Sequence, residues 1–78
     1  MGVKVLLDSV DKVREFVDIT RSAPYDIDLI SGRNTYLDAK SLLGVLTMGV
    51  NRRLQVLIEG DNNEIDAFHQ TIQKFAIA

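Results

Sequence analysis

Alternating and helical apolar periods succeed one another along this chain with few interruptions. Val3 to Leu7 alternates with Lys4 and Leu6 and predicts a strand. From about Ser9 to Ser22 the apolar positions Val10, Val13, Phe16, Val17 and Thr20 recur at helical spacing, with Asp8 or Ser9 as cap and Asp11 in the first turn. Pro24 ends that helix, because the residue before a proline is pushed out of the helical region. Tyr25 to Ile30 alternates again, Tyr25, Ile27 and Leu29 pointing one way and Asp26 and Asp28 the other. Ser31-Gly32-Arg33-Asn34 has the composition of a tight hairpin turn, and the return strand, about Thr35 to Ala39, is expected to send Thr35, Leu37 and Ala39 inward.

The segment Ala39 to Val50 places Ser41 at the mouth of a short apolar helix. Its hydroxyl is a natural cap, Leu42, Val45, Leu46 and Met48 supply the apolar surface, and Gly49 offers a left-handed stop. Arg52 to Glu59 then reads as a strand with Leu54, Val56 and Ile58 on its buried face. After Gly60, one of Asp61, Asn62 or Asn63 caps a closing helix that runs to about Phe75, its inward stripe being Ile65, Phe68, Ile72 and Phe75. Strands with one apolar face and three amphipathic helices predict an α+β fold in two layers, all helices on one side of a four-stranded sheet. Residues 1–78 form one domain on this reading. The outward strand positions carry Leu6, Ile30, Tyr36 and Leu57 among Lys4, Asp26, Asp28, Asp38 and Gln55, so the bare sheet face is a candidate surface for a homodimer or another partner.

Composition narrows the chemistry. The chain has 78 residues and no cysteine, which removes disulfides, thiolate metal sites and thiol catalysis. Net charge is -2 with basic residues dispersed and Arg52-Arg53 the only adjacent pair, so no nucleic-acid partner is expected. The apolar run before Asp8 is too short for a signal-peptide core or a membrane span. Asp26 and Asp28 share a strand face but have no third ligand in their pattern, so neither a metal nor a cofactor is expected. The single histidine, His69, falls on the shoulder of the last helix's apolar stripe and reads as a boundary residue without chemistry.

Three segments carry a family resemblance: Ala39-Lys40-Ser41-Leu42-Leu43-Gly44-Val45-Leu46-Thr47-Met48-Gly49, the hairpin Ile27 to Leu37 around Gly32, and Leu54-Gln55-Val56-Leu57-Ile58-Glu59-Gly60. Together they resemble HPr, the histidine-containing phosphocarrier of the bacterial sugar phosphotransferase system, over about Phe16 to Phe75. The resemblance implies an open-faced sandwich with an antiparallel sheet in order 1-4-2-3, and a bacterial, cytoplasmic setting. ACT-type small-molecule-sensing domains share the early element order and are the alternative, with strand order separating the two.

In the HPr family a phosphoryl-accepting histidine opens the first helix, followed by a small residue, an arginine and a proline. Here Ser9 stands at the histidine's place and Asp11 at the arginine's, no proline follows, and the loop before the helix is cut to little more than Asp8. An imidazole has a nucleophilic lone pair near neutral pH, whereas a hydroxyl needs a neighbouring base. The expectation is therefore a protein that is not an enzyme and does not carry phosphoryl on histidine. What the resemblance leaves is Ser41, at the position of a regulatory phosphorylation by a dedicated serine kinase that lets HPr relatives dock on a transcriptional regulator. Lys40, Leu42, Leu43, Leu46 and Met48 would form the docking surface around it. The function expected is regulatory or scaffolding, with an orphan interaction or ligand-sensing module as the alternative.

Overall fold

The computed structural model describes residues 3–77. Its elements are β1 (Val3–Leu7), α1 (Val10–Arg21), β2 (Asp26–Ser31), β3 (Thr35–Asp38), α2 (Leu42–Thr47), β4 (Arg52–Glu59) and α3 (Asn62–Thr71), followed by a 3-10 turn over Gln73–Phe75. The strands form one antiparallel sheet in the order β1-β4-β2-β3, the arrangement that the HPr resemblance implies.

Alternation decides which sheet face is covered. Val5 and Leu7, Ile27 and Leu29, and Leu54, Val56 and Ile58 are all buried, and they pack against Val13, Phe16 and Val17 of α1, Val45 of α2 and Phe68 of α3. Phe16 is fully buried and meets Phe75 edge-on at 5.4 Å between ring centroids, while Tyr25 meets Phe68 the same way at 6.2 Å. Edge-to-face contact sets a ring's positive rim against its neighbour's negative face, a favourable quadrupole arrangement. Burial of these side chains at about 1.5–3 kcal/mol each is the main force joining helices to sheet.

Local signals end the elements where steric logic requires. Ser9, and not Asp8, caps α1 by accepting from the Lys12 amide at 3.2 Å. Asp61 and Glu64 form a reciprocal capping box at the start of α3, at 2.8 and 3.0 Å. The β2–β3 turn turns on Gly32 at φ 64°, a conformation that costs glycine nothing.

Three expectations are corrected. Val10 is half exposed instead of inward: it occupies the first helical position, and the buried stripe of α1 begins one turn later at Val13. Thr35 is exposed, since β3 is a four-residue edge strand and its first residue lies past the helical cover; inward order resumes with half-buried Leu37 and fully buried Ala39. The last helix does not continue to Phe75. It stops at Thr71 and tightens into the 3-10 turn, with Phe75 donating to the Ile72 carbonyl at 3.0 Å. The tighter winding keeps both Ile72 and Phe75 facing the core. The chain then extends, so that Ala76 bridges to Val5 and the Ile77 amide donates to the Lys4 carbonyl at 3.0 Å, covering part of the outer edge of β1.

Candidate functional site

Two helix starts carry the residues singled out in the sequence, and the fold holds them apart. The Arg21 guanidinium, at the end of α1, donates to the Lys40 carbonyl at 2.9 Å, which puts Ser41 beside that end. The Asn51 amide, beyond α2, donates to the Leu7 carbonyl at 2.7 Å, which puts the exit of α2 beside Ser9. Helices α1 and α2 therefore run in opposite senses, and the twelve residues of α1, about 18 Å at the usual rise, separate Ser9 from Ser41.

At the Ser9 end the side chains are mixed in charge, with Arg52 across the sheet from Leu7. Asp11 lies in the first turn, and Asp8 pairs with Lys12 at 3.1 Å across one helical turn. The Ser9 hydroxyl oxygen is occupied as a cap acceptor. His69 lies on α3, half-buried, and forms no side-chain hydrogen bond or ion pair among the described residues. Exposed Val10 and Val50 flank this region, Val50 preceding Asn51, whose φ of 66° helps swing the chain from α2 into β4. Asn51 was not among the residues singled out by pattern. The signal was present, since asparagine is among the few non-glycine residues that enter the left-handed region readily.

At the other end, Ser41 is half-buried, extended in backbone, and accepts from the Gly44 amide at 3.1 Å. A Cβ at position 44 would come within 3.0 Å of the Ser41 hydroxyl oxygen, so glycine there leaves that oxygen uncrowded. Gly49 adopts φ 88° just after the helix, the left-handed stop expected of it. Lys40 is anchored: its ammonium donates to the Ala23 carbonyl at 2.8 Å and its amide to Asp38 Oδ1 at 2.9 Å. Leu42 and Leu46 pack partly against the core, and Met48 is half-buried at the helix end. Leu43, 75% exposed, is the apolar side chain of α2 that stands free. The structure thus brings Lys40, Ser41 and Leu43 to the start of α2.

No group of three or more histidine, aspartate or glutamate side chains is placed to hold a metal among the described residues. None of the described helices is long and apolar enough to cross a membrane.

The strand order and one-sided helical cover define an open-faced β-sandwich of the HPr type. Among solved structures, the chain is similar to the crystal structure of HPr-C-His from Thermoanaerobacter tengcongensis, with TM-score 0.70 and 20% sequence identity over 95% of this chain and 92% of that one. No family model and no curated protein matches it.

Proposed function

We propose that this protein is a noncatalytic, cytoplasmic HPr-like module that engages a protein partner through α2, with Ser41 as a regulatory phosphorylation site. The observation that carries the noncatalytic part is the start of α1. Where a phosphocarrier needs an imidazole among phosphate-binding groups, this chain has a hydroxyl engaged as a cap and two carboxylates, Asp8 and Asp11, within one turn. A carboxylate at the arginine's position offers no cation to a phosphoryl group, and a serine hydroxyl is a weak nucleophile near neutral pH.

The regulatory part rests on Ser41 and its neighbours. A phosphate on Ser41 keeps oxygen acceptors for the Gly44 amide and adds close to two negative charges at the edge of exposed Leu43. An apolar side chain beside a switchable charge suits a docking surface whose affinity depends on modification. The serine kinase and transcriptional regulator of HPr relatives are the partners proposed.

Two incubations followed by intact mass test this. With phosphoenolpyruvate and the first enzyme of the phosphotransferase system, no acid-labile phosphate is expected; its appearance would overturn the noncatalytic assignment. With ATP and an HPr serine kinase, one phosphoryl group is expected, absent in Ser41→Ala. A wild-type chain left unmodified by that kinase would remove the Ser41 assignment.

A further inference from the structure

The uncovered face of the sheet has its charges sorted to opposite corners. Strand register sets Asp28 directly across from Asp38, and Asp26 across from Glu59. These carboxylates belong to the positions that alternate with the buried core residues, so they share the helix-free face. Like charges directly opposite on neighbouring strands destabilise a sheet. Lys4 and Arg53 lie diagonally away, on β1 and β4, beside a hollow of about 310 Å³ also lined by Ile30, Gly32 and Gln55. The ion pairs among the described residues are Lys12–Asp8 and Lys74–Glu15, so neither corner is neutralised by another described residue.

Between the corners runs an apolar line. Tyr36 lies opposite Ile30, and Leu57 is Ile30's diagonal neighbour through the Asp28–Leu57 and Ile30–Gln55 pairs. Tyr36 and Leu57 are 61% and 41% exposed. Rotation by 180° about that line, with a second copy stacked on the face, returns each apolar residue to its own counterpart and carries the acidic corner onto the basic one. An isologous two-fold contact demands that kind of self-complementarity.

We propose that two copies of this chain associate through their uncovered sheet faces, about a two-fold axis along Leu57, Ile30 and Tyr36, with the Lys4–Arg53 corner of each against the Asp28–Asp38 corner of the other. Charge complementarity selects a second copy as the occupant: Lys4 and Arg53 line the hollow at one corner, and the facing carboxylates at the other form no ion pair among the described residues. Four strands about 4.8 Å apart and about 20 Å long give a face of about 400 Å². That is roughly half of what a standard interface buries on each partner, the size range of weak, transient contacts. This contact is independent of the Ser41 reading, since α2 packs on the opposite side of the sheet.

Sedimentation equilibrium from about 10 μM to about 1 mM tests it. A monomer–dimer equilibrium that weakens at about 0.5 M salt is expected. Two charge-reversed variants, Lys4→Glu/Arg53→Glu and Asp28→Lys/Asp38→Lys, should each self-associate about tenfold more weakly or worse, and their equimolar mixture should regain association. Tyr36→Glu, a single change on the exposed axis, should also weaken it about tenfold by placing like charges across the two-fold. A wild-type chain that stays monomeric throughout overturns the proposal. So does association indifferent to salt and to Tyr36→Glu, or a mixture of folded variants that fails to recover.

Discussion

The Thr20 hydroxyl donates to the Ala39 carbonyl at 2.7 Å and so ties the penultimate residue of α1 to the junction that leads into Ser41. Both residues are fully buried, and the same oxygen lies 2.8 Å from the Val17 carbonyl, so a single proton is shared between two acceptors. Thr20→Val keeps the side chain's shape and strands the Ala39 carbonyl out of reach of water. A loss of about 1–3 kcal/mol is expected from urea unfolding, with Thr20→Ser costing less because it keeps the donor.

Phe16 is the largest fully buried side chain and holds Phe75 against the helix layer. Phe16→Ala should cost about 3–5 kcal/mol, a large share of a small domain's total stability of about 5–15 kcal/mol. The same change at exposed Leu43 should leave the unfolding free energy within about 0.5 kcal/mol of wild type, since no core contact is lost. Equilibrium urea titrations of the two variants make the comparison.

Helix caps should be separable from one another. Asp61→Ala removes the acceptor for the Glu64 amide and half of the capping box, with an expected cost of about 1 kcal/mol. Ser41→Ala should cost a similar amount, and Ser41→Asp should recover part of it by restoring a side-chain oxygen for the Gly44 amide. Thermal unfolding of the three variants measures these effects, and recovery by Ser41→Asp is the outcome that identifies capping.

Burial raises the Tyr25 phenol above the ordinary value of 10.0, and the carboxylates of Glu64 and Asp61 push it the same way. The raised value means that the folded state holds its proton where the unfolded chain has begun to lose it. Stability from this group is complete below pH 10.0 and declines as the pH climbs toward the folded-state value. In a Tyr36→Phe background, which leaves Tyr25 as the one phenol, the phenolate absorbance midpoint should lie above 10.0 while the protein is folded. Tyr25→Phe should flatten the alkaline fall in stability.

Most of the architecture was legible because its signals are local. The inward positions of β2 and β4, the Ser41 cap and the Gly32 turn follow from alternation, hydroxyl placement and positive φ, while the choice of Asp61 over Asn62 and Asn63 as the cap of α3 came from the structure. Val10 and Thr35 misled because periodicity records which side of an element a residue occupies, not whether anything is packed there. At the candidate sites, residue types could be read but their distances could not. Ser9 and Ser41 proved to lie at opposite ends of α1, and Lys40 proved to be anchored on the Ala23 carbonyl.

Amino-acid order alone determined that each strand would have one apolar face and that the start of α1 would carry Ser9 and Asp11. Both depend only on neighbours a few residues away. Strand order, the Ala76–Ile77 cover on β1, and the sorting of Lys4 and Arg53 away from Asp28 and Asp38 were decided by tertiary structure. Those features arise when segments distant in the chain bury a common core, and the register that burial imposes sets which side chains finally stand opposite one another.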